Sequence, residues 1–150
     1  MGNAPATHPV GRTNVRAWAL GWVGAAALGV ANGVARRVGY EQRLGELRAH
    51  QVSTATAIGL LAAYTFLLDR RWPITSAGDA AAVGVAWAGA TAAFEFGLGH
   101  YVAHMPWTEL IRDYDLRHGH LWSLVLVTLA ASPGVAYLAR TRRVASPIPA

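Results

Sequence analysis

Long apolar stretches alternate with short polar ones along this chain, and four of the apolar stretches approach the length of helix that a bilayer requires. A hydrocarbon core about 30 Å thick takes about 20 residues at a rise of 1.5 Å each. The four stretches are residues 15–35, 51–68, 80–98 and 121–138. Polar groups close each one: Arg36 and Arg37 the first, Asp69, Arg70 and Arg71 the second, His100 the third, and Arg140, Arg142 and Arg143 the fourth. The pattern predicts an all-α integral membrane four-helix bundle over residues 15–143. Segments 1–14 and 144–150, with their Pro, Gly, Asn and Ser, read as disordered tails.

Small residues recur inside the spans, such as Gly21, Gly24 and Ala25 in the first and Gly84, Ala88 and Ala92 in the third. They let helix backbones approach where lipid supplies no hydrophobic drive for association. Trp18, Trp22, Trp72, Trp107 and Trp122 fall near predicted ends, where an indole suits the headgroup level, whereas Trp87 reads as packing. In residues 106–115, Trp107, Leu110, Ile111 and Tyr114 follow helical spacing after Pro106. This predicts a short interfacial helix before the last span, with a plain loop as the competing reading. The first span also has features of a cleaved signal peptide, Arg12 and Arg16 preceding an apolar run with small residues; its length and double-Arg stop favour a retained helix.

Composition strengthens the membrane reading. Apolar residues make up 53% and charged residues 14%, a balance unusual for a soluble domain. All 13 basic residues are arginine and they gather at span ends, so the net charge of +5 reads as anchoring to headgroups. No basic stripe with interleaved aromatics suggests nucleic acid. The absence of cysteine excludes disulfides, thiolate metal sites and cysteine nucleophiles. The Ala, Gly, Val and Arg bias suggests a bacterial gene. The expected surroundings are the lipid bilayer, within a homo-oligomer or a larger membrane complex.

Four spans place the N-tail, the 69–79 loop and the C-tail on one side, and the 36–50 and 99–120 loops on the other. Arginines divide almost evenly, with Arg12, Arg16, Arg70, Arg71, Arg140, Arg142 and Arg143 facing six on the opposite side. The three C-terminal arginines, with no acid near them, favour cytoplasmic termini. Five of the six histidines lie on the long-loop side, and His8 lies in the tail.

On that side Glu95 is the most informative residue, because Phe94, Phe96 and Leu98 around it are apolar. A carboxylate in that setting is costly unless paired, protonated or facing a wet cavity. Arg36, Arg48, Arg117 and Asn32 are the expected partners if its role is structural. His100 and His104 would share a helix face and chelate a divalent metal, with His120 as a third ligand, if the helix continued past Gly99. His50 follows Glu46 by one turn, which would orient the ring and raise its basicity. Paired with His100, it is also a candidate axial ligand for haem b. No cofactor is favoured. Glu46-Leu47-Arg48-Ala49-His50 is echoed by Asp115-Leu116-Arg117-His118-Gly119-His120, which would make the bundle two αα-hairpins around a central site.

The strings Leu44 to Gln51, Phe94-Glu95-Phe96-Gly97-Leu98-Gly99-His100-Tyr101-Val102, and Asp113-Tyr114 with Leu121-Trp122 resemble a family of small bacterial multi-span inner-membrane proteins without an assigned biochemical activity. The resemblance runs from about Asn32 to Pro133. It implies an inner-membrane protein and points to Glu46, His50, Glu95 and His100. The family pattern has Gly in place of His104 and Arg in place of His120, which weakens a metal site built on either. The expected function is a ligand-, ion- or proton-responsive polar site formed by Glu46, Arg48, His50, Glu95, His100 and Arg117. A membrane enzyme, or a haem or metal carrier, using the same groups is the alternative.

Overall fold

The computed structural model describes residues 12–112 and 114–145; His8, Asp113 and most of both tails lie outside the described residues. Six α-helices account for most of it: α1 (Val15–Gly39), α2 (Glu41–Leu44), α3 (Glu46–Arg71), α4 (Ala77–Gly97), α5 (Trp107–Arg112) and α6 (Ser123–Ala145). A π-helical turn, Leu98–Val102, extends α4, and a 3-10 turn, Leu116–His118, follows α5. The architecture is the expected all-α four-helix bundle, and α1, α3, α4 with its extension, and α6 are each long and apolar enough to cross a membrane.

Local chemistry sets the helix ends. The Asn14 side chain accepts from the Ala17 N–H and caps α1, and Ser76 caps α4 by accepting from the Asp79 N–H at 3.0 Å. Gly45, at φ +77°, supplies the left-handed turn that redirects the chain from α2 into α3.

Around the bundle the order is α1, α3, α6, α4. α6 packs closely on both α4 and α3, and α3 packs on α1, while α1 and α4 touch only sparingly. Two hairpins, α1/α3 and α4/α6, therefore pack side by side, and α3 and α4 sit diagonally although they are consecutive. The connection between them crosses beneath the bundle and buries Ile74 completely. Asp69 accepts from the Ile74 N–H at 2.9 Å and from Arg140 Nε at 2.8 Å, and Arg140 Nη2 donates to the Ile74 carbonyl. The buried backbone of this crossing is thus satisfied by one ion pair.

The same end holds a buried pair of tryptophans. Trp18 is buried inside the bundle, and its ring lies 5.6 Å from Trp87. Trp18 Nε1 donates to the Trp72 carbonyl and Trp87 Nε1 to the Trp18 carbonyl. Thr13, in the segment read as tail, donates to Asp79 at 2.6 Å and accepts from the Thr75 N–H. Midway along, Ser132 donates to Thr65 at 3.1 Å, and Asn32 donates to the carbonyl and hydroxyl oxygens of Ser53, joining α6 to α3 and α1 to α3.

Candidate functional site

The opposite end carries the 36–50 and 99–120 segments together, as the even number of spans requires. Gln51 donates to the Gly119 carbonyl at 3.1 Å, and the rings of His50 and His120 meet edge to face at 6.0 Å. The acid-Leu-Arg-His echo thus brings a histidine from each half into contact.

Glu95 lies on α4 one turn before the π-helical segment, and its Oε2 accepts from Trp122 Nε1 at 2.7 Å and from the Tyr114 hydroxyl at 2.5 Å. Its partners differ from those expected: Arg48 and Arg117 are exposed, Arg36 points to His50 and Glu41, and Asn32 is engaged with Ser53. The physical reason is reach. α5 and the loop after it fold back over α4, so two neutral donors arrive where a distant arginine would have to be desolvated.

The short helix predicted before the last span is α5, and it roofs this site. Leu110 sits over Gly99, where any side chain would collide with it, and Tyr114 stacks on Phe96 at 5.5 Å. Trp107 stacks on His100 at 4.1 Å and on Phe96 at 6.1 Å. Ile111, placed in the same stripe by its spacing, points outward.

His50 differs from its expected chemistry. Its Nδ1 lies 2.7 Å from Arg36 Nη1, and a guanidinium only donates, so Nδ1 accepts and a neutral ring carries its proton on Nε2. Glu46, the expected carboxylate partner, is exposed and faces Arg112 at 3.8 Å. Arg36 is held in turn by Glu41 at 3.3 Å. The Trp122 ring, which bonds Glu95, stands edge to face with His50 at 5.8 Å. A continuous set of side chains therefore runs from Glu41 at the surface through Arg36, His50 and Trp122 to Glu95.

The histidines expected to chelate do not converge. The regular helix ends before His100, which donates from Nδ1 to the Met105 carbonyl, and His104 lies in the following turn at φ +53°, exposed. That conformation favours glycine over a side-chain-bearing residue. His120 belongs with His50 instead. Among the described residues no three His, Asp or Glu side chains come together in a way that could hold a metal ion. His50 and His100 have different immediate neighbours, Arg36, His120 and Trp122 in one case and Trp107 and Met105 in the other. Asp115 caps the 3-10 turn, accepting from the Arg117 N–H at 3.0 Å and from His118 Nδ1 at 2.6 Å. The His118 hydrogen bond holds its carboxyl below the ordinary carboxylate range.

Beside Glu95 a cavity of about 310 Å³ reaches from the α1/α4 seam to Leu61, Val125 and Leu129 in the core. Its wall is apolar apart from Thr91, Glu95, Tyr114 and Trp122. Tyr114 and Trp122 were legible only as interface aromatics. In comparisons with family models, curated proteins and solved structures, nothing matches this chain.

Proposed function

We propose that this chain is an integral protein of the bacterial inner membrane, with both termini cytoplasmic, that binds a small, mainly apolar molecule beside Glu95. The observation that carries the binding reading is the cavity itself. A space of this size, apolar but for a few convergent polar groups, is the ordinary form of a small-molecule site.

The membrane reading is supported by what the helices leave outside. Leu20 is 73% and Val85 70% exposed, and Val23, Val34, Leu67 and Val127 are also exposed along the same four helices. An apolar exterior of that extent suits lipid, not water. The resemblance to small multi-span inner-membrane proteins agrees with it, and a homo-oligomer or larger complex is compatible with so much uncovered surface.

The test is purification into lipid nanodiscs followed by native mass spectrometry and visible absorption. The wild-type protein is expected to retain a small molecule that Gly29→Leu, which fills the cavity, releases. A haem band or stoichiometric metal lost in His100→Ala would replace this reading with the carrier alternative. Reporter fusions at the C-terminus test the orientation, and a periplasmic signal overturns it.

A further inference from the structure

A second groove, of about 170 Å³, lies between the C-terminal turns of α3 and α6, at the end of the bundle away from Glu95. On α6 its wall includes Ala136, Ala139, Arg140 and Arg143, and on α3 it includes Phe66, Asp69 and Arg70. Spacings of three and four put each set on one helix face. At a rise of 1.5 Å per residue, Phe66 stands about 6 Å deeper than Arg70, and Ala136 about 10 Å deeper than Arg143. The groove is therefore apolar towards the middle of the bundle and basic towards its end.

Charge selects the head of an occupant. Of the three arginines only Arg140 is committed: its Nε donates to Asp69 at 2.8 Å and its Nη2 to the Ile74 carbonyl, which leaves Nη1. Arg70 and Arg143 are exposed and make no hydrogen bond or ion pair among the described residues. Asp79, the other described acid at this end, is held by Thr13 and Thr75 next to the start of α1. Three guanidinium groups against one carboxylate leave two positive charges. The carbonyl ends of α3 and α6 offset about half a charge each, so the groove stays positive. Guanidinium forks match the paired oxygens of a phosphodiester. An ammonium group on the same head would be repelled, which favours an anionic head over a zwitterionic one.

Size and surroundings select the source of that phosphodiester. An apolar cavity of about 150 Å³ holds benzene, so this groove takes one phosphodiester with its linking carbons and nothing as wide as a helix. Leu67, Val135 and Leu138, on the same turns of α3 and α6, are exposed and apolar. A free phosphate would leave Phe66 and Ala139 uncovered, whereas the glycerol and first chain carbons of a lipid lie against them. Basic pockets between spanning helices on the cytoplasmic side are recurrent seats of anionic lipid heads, and the orientation proposed above puts this end on that side.

We infer that the groove between α3 and α6 is a site for one anionic phospholipid, its phosphodiester held by Arg70, Arg140 and Arg143 and its glycerol end resting on Phe66 and Ala139. The site rests on the membrane reading above and is independent of the cavity beside Glu95.

The test is native mass spectrometry of the full chain released from nanodiscs of equal parts phosphatidylglycerol and phosphatidylcholine. The wild-type chain is expected to retain one phosphatidylglycerol, with a preference of about thirtyfold over phosphatidylcholine, each uncommitted arginine near the surface counting for about fivefold. Arg70→Gln or Arg143→Gln alone should lower the preference about fivefold, and the two together should erase it. Arg12→Gln with Arg16→Gln, which removes as much charge at the same end but next to α1, should leave it intact. All four side chains are exposed, so thermal unfolding is expected to stay the same in every variant. The lipid is identified by its mass, so a different molecule bound beside Glu95 does not count towards this site. Equal retention of the two lipids, an equal loss in the Arg12 and Arg16 variant, or displacement of the lipid by excess inorganic phosphate overturns the assignment and leaves the membrane reading standing. A chain that does not enter nanodiscs overturns both.

Discussion

The two ends of the bundle use similar materials differently. At the Trp18 end, polar side chains close gaps: Asp69 and Arg140 hold the crossing loop, Thr13 and Asp79 hold the start of α1, and two indoles donate to backbone carbonyls. At the Glu95 end, polar groups frame a gap. Tyr114 and Trp122 bond Glu95, Arg36 bonds His50, and a cavity of about 310 Å³ stands beside them. An enclosed void costs about 24 cal/mol per Å³, so one this large, if left empty and closed, represents about 7 kcal/mol. The groove is open to the side, which lowers that figure, and a bilayer would supply chains to fill it. Tight packing at one end lets the other remain parted without the helices sliding together.

Five substitutions test this contrast. Asp69→Ala should have the largest effect, about 3 kcal/mol in detergent unfolding, because it leaves Arg140 and the Ile74 N–H without their carboxylate. A cost no larger than that of removing an exposed acid such as Glu46 would break the claim that this end is the clamp. Gly84→Ala comes next, at about 2 kcal/mol, since its methyl would lie on the Ala130 backbone between α4 and α6. Gly29→Ala, made on the same helical background but facing open space, should be neutral or slightly stabilising. If the two glycines behaved alike, the ends would not differ in packing. Glu95→Ala should cost about 1 kcal/mol, reflecting two lost acceptor contacts, and should speed amide exchange in α5 while leaving α3 protected. A small effect of the opposite sign is expected of His104→Gly, a gain of about 0.5 kcal/mol from relief of a left-handed residue, offset in part by the greater freedom of glycine when unfolded.

The four long helices were legible because lipid-length apolar runs depend only on composition and rise per residue. The roofing helix was legible from Pro106 and the spacing of Trp107, Leu110 and Tyr114. Glu95 stood out because a carboxylate among phenylalanines must be accommodated somewhere. Its partners did not, since Tyr114 and Trp122 reach it only after α5 folds back, and an indole in a sequence looks the same whether it meets a headgroup or a carboxylate. The expected histidine pair failed on backbone geometry: His100 and His104 are a turn apart only in an unbroken helix, and the π-helical turn with a left-handed His104 ends it. The diagonal placement of α3 and α4 has no signature in hydropathy, which records how long a helix is but not which neighbour it chooses.

That diagonal has a consequence for biogenesis. A chain made from its N-terminus delivers α1 and α3, which pack on each other, before α4 appears. α4 packs chiefly on α6, which is made last, with the 99–120 segment between them. For the time it takes to synthesise roughly four dozen further residues, through the end of α6, which is a few seconds at typical elongation rates, α4 waits without its main partner. Truncations that end before Trp122 leave α4 without that partner and are expected to be cleaved faster by protease than the full-length chain.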